Sequence, residues 1–227
     1  MTPLIVVLAA PSGGGKTTIA KSLMARRGDV GFSVSAATRP PRAGEREGEA
    51  YFFLSRAEFQ RRQAAGEFLE WAEYAGELYG TLKAEVERLL KAGRHVLLDI
   101  EVQGARQVRQ RYPPPASVAI FILPPNGREL VRRLRTRRTE SAAEIARRLD
   151  RAVWELRQAP TFDHLVVNDG LEAAVAQVSS IIDAPFPAAG GGAGAGAGAG
   201  AATKRIETLI QELTAEAAEL RTSEEQP

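Results

Sequence analysis

The sequence predicts an α/β fold in which helices flank a mostly parallel β-sheet. Three apolar runs, at residues 4–9, 95–100 and 117–123, have the length and composition of buried strands. Segments with helical periodicity separate these runs, beginning at capping residues and ending near Gly or Pro. Strands that alternate with helices form right-handed β-α-β units, and such units assemble a parallel sheet.

Local signals place the remaining elements. Ser55 with Glu58 and Ser141 with Glu144 predict capping boxes, and Thr81 is expected to cap a helix that closes at Gly93. Further strands are expected at 33–37, 51–54, 68–74 and 165–167. Helices are expected at 16–26, 55–66, 81–93, 103–111, 126–138, 141–157 and 171–182.

Composition narrows the class of protein. The chain has 227 residues, of which 44 % are hydrophobic and 26 % charged, which is typical of one globular domain with inserted subdomains. No apolar run approaches the ~20 residues that span a bilayer, and no signal-peptide pattern is present. The absence of Cys excludes disulfides and fits a reducing cytosol, so we expect a cytoplasmic location. A net charge of +2 is too small to indicate nucleic acid as a partner.

A glycine-rich segment follows the first apolar run and precedes a helix, which is the context of a P-loop. Its backbone N–H groups can converge on phosphate oxygens, and Lys16 can reach the β- and γ-phosphates. The alternative is a glycine-rich turn that binds nothing. A P-loop NTPase core is the stronger prediction, with Ala10 in place of the first glycine of the motif. The expected ATP-binding residues of the loop are Ala10, Pro11, Ser12, Gly13, Gly14, Gly15, Lys16, Thr17 and Thr18.

Val96-Leu97-Leu98-Asp99 has the form of a Walker B strand, with a carboxylate at its carboxyl end. With the P-loop present, Asp99 and the Thr17 hydroxyl are the expected Mg²⁺ ligands, directly or through water. The alternative is an apolar strand that ends in an unrelated Asp.

A second phosphate site is indicated by Arg39, Arg42 and Tyr51. Arginine binds phosphate through paired hydrogen bonds, and the phenol adds a donor. Two prolines between the arginines limit the entropy that is lost when the arginines become ordered. A solvated basic loop is the alternative interpretation of these residues.

Several strings, in order within about residues 3–184, resemble guanylate kinases. They are Ser33–Glu45, Gly66–Tyr74, the Leu78–Thr81 segment with its Tyr-Gly-Thr turn, Leu98–Gly104 and Val166–Asp169. The resemblance implies Mg²⁺-dependent transfer of the ATP γ-phosphoryl group to GMP, and to dGMP, in purine nucleotide metabolism. It implies that the GMP-binding residues are Ser35, Arg39, Arg42, Glu45, Tyr51, Glu70, Tyr79, Thr81, Glu101 and Gln103.

Within that set, the resemblance implies that Arg39, Arg42, Tyr51 and Tyr79 hold the phosphate. It implies that the guanine is read by Ser35, Glu70, Thr81 and Glu101. Carboxylates suit the N1–H and the amine of guanine, and a hydroxyl suits O6. Adenine would leave these buried groups unpaired.

The resemblance also gives an Arg-rich lid, in which Arg137 and Arg148 close over the ATP phosphates, and it places Asn168 at adenine. The catalytic set that it implies is Lys16, Arg39, Arg42, Asp99, Arg137 and Arg148. Three residues depart from the family pattern: Ala37 replaces Thr, Arg138 replaces Gly and Glu101 replaces Asp.

The expected organisation has a guanylate-kinase-like domain at 1–184. Its core is 1–34, 94–125 and 158–184, its GMP-binding insert 35–93 and its lid 126–157. A Gly/Ala-rich linker at 185–202 leads to an amphipathic helix and tail at 203–227. That helix could dock on its own domain, associate with a second copy of the chain, or be only marginally stable. We hypothesise that it promotes oligomerisation.

Two other functions stay open at this point. One is an interaction module that resembles the family and has lost catalysis, although Lys16 and Thr17 are retained here. The other is a related small-molecule kinase with a different acceptor, such as a phosphorylated ribose. Glu70 and Glu101 argue against that acceptor.

Overall fold

The computed structural model describes residues 2–74, 76–135, 141–183 and 199–224. The strands are β1 Ile5–Ala9, β2 Val30–Phe32, β3 Ser35–Ala37, β4 Phe52–Phe53, β5 Phe68–Tyr74, β6 Glu77–Leu82, β7 His95–Asp99, β8 Ser117–Leu123 and β9 His164–Val167. The helices are α1 Lys16–Arg26, α2 Arg56–Ala64, α3 Lys83–Lys91, α4 Val102–Arg111, α5 Gly127–Arg135, α6 Ala142–Gln158, α7 Leu171–Asp183 and α8 Ala199–Glu224.

One sheet has five strands in the order β2-β7-β1-β8-β9. The pairs β2–β7 and β8–β9 are parallel. Every residue of β1 and β8 is buried, which is why these strands appear in the sequence as uninterrupted apolar runs. The α/β fold with a mainly parallel sheet is therefore confirmed.

A second sheet has the order β4-β3-β6-β5, with β6 antiparallel to both β3 and β5. A small core lies against it, formed by Ala36, Phe59, Phe68 and Leu78. Phe59 of α2 stacks on Phe68 of β5 with 4.2 Å between ring centroids. Burial of these side chains fixes the register of a sheet that has few strands.

The chain divides into two compact units. The first comprises residues 1–7 and 24–118, and it contains the whole four-stranded sheet. The second comprises residues 8–23 and 119–227, and it contains the glycine-rich loop and the helices α5 to α8. The core, insert and lid boundaries derived from the sequence stay predictions. Arg137, Arg138 and most of the predicted linker lie outside the described residues.

The structure corrects the expected role of Thr81 as a helix cap. Thr81 belongs to β6, its hydroxyl bonds to a carboxylate of β5, and Leu82 occupies the cap position of α3 without a side-chain bond. The expected Tyr-Gly-Thr turn is likewise a part of β6. The capping box at Ser141 is confirmed. At the start of α2, Ser55 is the cap, but the Glu58 carboxylate pairs with two arginines and does not complete a capping box.

At the C-terminal end, where a helix and tail were expected at 203–227, the structure has a helix that begins four residues earlier, at Ala199, and extends to Glu224. It packs against α6 and α5. None of the helices in the described ranges is long and apolar enough to cross a membrane.

Candidate nucleotide sites

The glycine-rich loop connects β1 to α1 in the second unit. Gly13 and Gly15 have φ values of 84° and 94°, which residues with side chains rarely adopt. The N–H of Gly14 donates to the carbonyl of Pro11 over 2.8 Å and closes a tight turn. Lys16 and Thr17 open α1, so the positive end of the helix dipole lies at this loop. The geometry suits an anion such as a nucleotide phosphate.

Three side chains from distant parts of the sequence hold the loop. Arg148 donates from Nη2 to the Ser12 hydroxyl over 2.7 Å, and the Ser12 N–H donates to the Glu155 carboxylate over 3.3 Å. Asn168 donates from its amide to the Gly14 carbonyl over 2.9 Å. The loop conformation is thus fixed by α6 and by the residue that follows β9.

Glu155 and Arg151 are functional candidates that the sequence analysis missed. The Glu155 carboxylate is buried, and it accepts from Arg151 over 3.3 Å as well as from the loop. The sequence did contain an indication of Glu155, because this residue interrupts the apolar stripe of α6 at a position that is buried in the structure. A charged residue is rarely buried unless it has partners.

A row of three polar residues crosses the four-stranded sheet in the first unit. The strand register pairs Ser35 of β3 with Thr81 of β6, and Thr81 with Glu70 of β5. Directly paired residues project from the same face of a sheet. The Thr81 hydroxyl donates to the Glu70 carboxylate over 2.6 Å, and both side chains are buried. The register therefore brings together three of the four residues expected to read guanine.

Helix α4 closes on the Glu70 end of that row. A Cβ atom on Gly104 would lie 2.2 Å from a carboxylate oxygen of Glu70, so any side chain there would displace that carboxylate. Glu101 is the residue before the first turn of α4, and Gln103 lies exposed within that turn. Asp99 ends β7 and is half-buried.

Tyr79 lies two residues before Thr81 on β6, and so on the same sheet face. Its ring lies 6.0 Å from that of Tyr51. The Arg39 guanidinium carbon lies 4.8 Å from the Tyr51 ring centroid and 5.7 Å from that of Phe53. Three of the four residues expected at the GMP phosphate are therefore neighbours. The Arg42 side chain is exposed.

Arg39 and Glu45 form a paired ion bridge. Both terminal nitrogens of Arg39 donate to the two oxygens of Glu45, over 2.6 and 2.7 Å, and the Arg42 N–H donates over 2.8 Å. The bonds from Arg39 and from the Arg42 backbone lower the pKa of Glu45 to about 2. The hydrogen bonds to Glu45 raise the pKa of Arg39, and burial, followed by the Asp99 charge, raises the pKa of Tyr51.

A buried strand, a glycine loop and a helix of this geometry, on a mainly parallel sheet, define a P-loop nucleotide-binding protein. The guanylate kinase family model matches residues 2–185. The chain belongs to the guanylate kinase family.

Individual relatives agree with the family match. The guanylate kinase of Symbiobacterium thermophilum is 46 % identical over 181 residues, which cover 80 % of this chain and 85 % of that protein. The guanylate kinase of Synechococcus elongatus is 48 % identical over 178 residues, covering 78 % and 96 %. The crystal structure of guanylate kinase from Anaplasma phagocytophilum has a TM-score of 0.66 and 32 % identity, covering 80 % of this chain and 85 % of that one.

These matches confirm the prediction of guanylate kinase function, an ATP:GMP phosphotransferase activity, and they do not favour either alternative. The family match ends before α8 begins.

Proposed function

We propose that residues of the four-stranded sheet bind GMP and that the glycine-rich loop binds the phosphates of ATP. The observation that carries this proposal is the face of β6. Thr81 lies on it within a row that has hydroxyl and carboxylate groups, and Tyr79 lies on it beside Arg39 and Tyr51. One end matches the edge of a guanine, and the other matches a phosphate.

The guanine end supplies acceptors and donors in the required combination. The Glu70 carboxylate accepts from N1–H and the exocyclic amine, and the Ser35 hydroxyl donates to O6, because the Thr81 hydroxyl already donates to Glu70. Glu101 is the further carboxylate in the proposal, and Gln103 stays a prediction. Because Glu70 is buried, an adenine that cannot satisfy it would bind at a high cost in free energy.

At the phosphate end, Arg39, Arg42, Tyr51 and Tyr79 are the proposed ligands. The buried Arg39 is held against the Tyr51 ring, so little side-chain freedom is lost when a phosphate binds. The exposed Arg42 is free of that restraint and contributes mainly charge.

On the donor side, the proposed ligands are the loop amides, with Lys16 at the β- and γ-phosphates. Arg148 is anchored on the Ser12 hydroxyl, which places a cation at the loop. Arg137, the other expected lid arginine, lies outside the described residues. Contact of Asn168 with adenine stays a prediction, since its amide bonds the loop here.

Mg²⁺ is the expected cofactor, and the residues fit a hard cation that prefers oxygen. The candidates are the Thr17 hydroxyl and the Asp99 carboxylate. Within the described residues, no group of three His, Cys, Asp or Glu side chains could hold a metal. Mg²⁺ takes one or two protein ligands and otherwise phosphate and water oxygens, so two protein oxygens suffice. When bound, Mg²⁺ neutralises charge that develops on the transferred phosphoryl group.

The reaction moves one phosphoryl group. An oxygen of the GMP phosphate forms a bond to the γ-phosphorus as the bond from that phosphorus to the β-bridging oxygen breaks, giving GDP and ADP. The residues contribute alignment and positive charge, which is most of what phosphoryl transfer requires. Exclusion of water by a closing lid prevents transfer to water instead.

The test is ADP production from ATP and Mg²⁺ with GMP, dGMP, AMP, CMP and UMP offered separately. We expect turnover with GMP and with dGMP, and weak turnover with the others. Lys16→Ala should lower the rate by about 10²–10³-fold. Lys21→Ala, an exposed lysine of α1, is the matched control and should be silent. Equal rates with GMP and AMP would contradict the guanine-reading assignment.

Two finer predictions remain beside this proposal. A cytoplasmic location is expected from the cysteine-free composition. Self-association through the C-terminal helix stays a hypothesis, which the native mass of the full chain will test.

A further inference from the structure

The Arg39–Glu45 bridge leaves one particular edge of the arginine for a ligand. A guanidinium has two edges that can make paired hydrogen bonds, the terminal edge and the lateral edge that includes Nε. Glu45 takes the terminal edge through both of its oxygens, and the Pro40 carbonyl takes another Nη1 proton at 3.0 Å. Three of five N–H groups are used in these bonds, and the lateral pair is not.

Glu45 also ties the two phosphate-site arginines together. Its carboxylate accepts from the Arg42 backbone, and its own N–H donates to the Arg42 carbonyl over 3.0 Å. The same carboxylate therefore fixes the Arg39 side chain and the loop that carries Arg42.

We propose that Glu45 is a positioning residue for GMP, which acts by presenting the lateral edge of Arg39 to the phosphate. A carboxylate is not suited to contact a phosphate directly, because the two anions repel. Holding the terminal edge instead directs the remaining N–H groups toward a ligand and reduces the entropy that binding must remove. This proposal rests on the assignment of Arg39 to the GMP phosphate.

The test compares Glu45→Gln with Glu49→Gln, an exposed acid of the same loop that pairs only loosely with Arg46, at 3.6 Å. In Glu45→Gln, the KM for GMP should rise about ten-fold, the effect of having to order one arginine on binding. The KM for ATP and kcat should change little. Glu49→Gln should match the wild type. Glu45→Asp keeps the charge and should lie between the two.

A double-mutant cycle separates positioning from other roles. In the Arg39→Ala background, Glu45→Gln should add almost nothing, since its effect passes through Arg39. An equal rise in both backgrounds overturns the proposal, and so does a lower KM for GMP in Glu45→Gln, which would make Glu45 a competitor of the phosphate. If Arg39→Ala itself leaves the KM for GMP unchanged, the assignment of the phosphate site fails first.

An independent observation concerns α8, which lies beyond the family match. Leu209, Leu213 and Ala217 are buried, and α8 packs on α6 and α5. Glu212 accepts from the Gly127 N–H over 2.6 Å at the start of α5. A Cβ on Gly127 would lie 2.8 Å from that of Glu212. The glycine at the start of α5 therefore allows α8 to pack this closely.

Ion pairs extend this contact to the last residue of α5 and to the middle of α6. Glu216 pairs with Arg135, the last residue of α5, over 2.6 Å, and Arg221 pairs with Asp150 of α6. Helix α8 therefore contacts both ends of α5 and the middle of α6.

The two helices that α8 joins are the ones that contact the glycine-rich loop. On α6, Arg148 and Glu155 bond to Ser12. On α5, Leu130 and Leu134 lie so close to Gly13 that an added Cβ would approach them to 3.1 and 3.2 Å. The loop is thus backed by a pair of helices, and that pair is backed by α8.

We infer that α8 is an intramolecular brace that keeps the ATP loop in its binding conformation. In the full chain, Leu213→Asp should raise the KM for ATP about five-fold or more, a typical coupling between separate sites, and leave the KM for GMP unchanged. Ala215→Asp places the same charge on the exposed side of α8 and should be silent. Leu213→Ala is the milder variant if the aspartate variant does not fold.

Two results would overturn this inference. A lower melting temperature with an unchanged KM for ATP would make α8 a stabilising addition only. A native mass that falls from that of an oligomer to that of a monomer in Leu213→Asp would show that α8 joins copies of the chain instead.

Discussion

The two proposed nucleotide sites differ in the groups that their side chains hold in place. In the four-stranded sheet and the segment between β3 and β4, which we propose bind GMP, side chains bond to other side chains, as Glu45 does to Arg39 and Thr81 to Glu70. In the glycine-rich loop, side chains hold backbone, as Asn168 holds the Gly14 carbonyl and Glu155 the Ser12 N–H. The difference fits the proposed ligands, because a base presents a polar edge to side chains, whereas a triphosphate needs many converging backbone amides.

This contrast makes substitution effects separable. Changes at the loop should act on ATP through backbone conformation, and changes at the sheet should act on GMP through hydrogen-bond partners. Each substrate therefore reports on its own region, and the following variants test that separation.

Among these variants, the largest effect is expected from Gly15→Ala. A Cβ there would lie 2.2 Å from the Asn168 amide nitrogen, at a φ of +94° that alanine rarely adopts. We expect kcat/KM for ATP to fall about 100-fold, from the backbone strain and the lost Asn168 bond. Gly170→Ala, which meets nothing within 4 Å, is the control. Steady-state kinetics with both substrates will check this, and a matching rise in the KM for GMP would show that the two regions do not act separately.

Glu70→Gln should have the next largest effect. The amide presents a donor where guanine also presents donors, so we expect the KM for GMP to rise about 30-fold and the preference over AMP to shrink. Glu73→Gln, on an exposed position of the same strand, should behave as the wild type. The measurement is acceptor profiling of each variant. An unchanged preference for GMP would remove Glu70 from the guanine site.

Gly104→Ala should weaken GMP binding although Gly104 is not itself a proposed GMP ligand. The new methyl would meet the Glu70 carboxylate and displace it, and we expect about a ten-fold rise in the KM for GMP. Gly28→Ala, an open position, is the matched substitution. Titration of GMP at saturating ATP measures the effect. A rise confined to ATP would contradict the placement of Glu70.

The smallest expected effect concerns pH. Because the pKa of Glu45 is lowered to about 2 from 4.5, its contribution to stability is complete above pH 4.5 and is lost as the pH falls toward 2. Glu45 therefore stays ionised between pH 5 and 8. Any rise in the KM for GMP below about pH 6 should come from protonation of the GMP phosphate. Plots of the KM for GMP against pH should be parallel for the wild type and Glu45→Gln. Loss of the pH dependence in the variant would contradict this.

The glycine-rich loop was predictable from its residues alone, and the proposed GMP site was not. The loop motif is contiguous, and its chemistry depends on glycine and lysine at fixed spacing. Ser35, Glu70 and Thr81 become neighbours only through strand register, and β6 was expected to be a turn followed by a helix. Their roles came from the resemblance to a family.

Thr81 shows why local signals failed at this point. Threonine before an apolar helical stretch is a common cap, but here a buried carboxylate on the neighbouring strand takes its hydroxyl. A partner that is distant in the sequence outweighs the local preference. Glu155 shows the opposite case. Its place in the apolar stripe of α6 could be read from the sequence, but it indicated no particular partner.

The attachment of α8 to the same chain has a thermodynamic consequence. Fifteen residues separate Asp183 of α7 from Ala199 of α8. A tether of this length gives the helix an effective concentration on the order of millimolar at the surface of α5 and α6 on which it docks. A weak contact is then mostly occupied, although the same two surfaces on separate molecules would seldom meet in dilute solution. A free peptide of residues 199–224 would have to approach that concentration before it could displace the tethered helix.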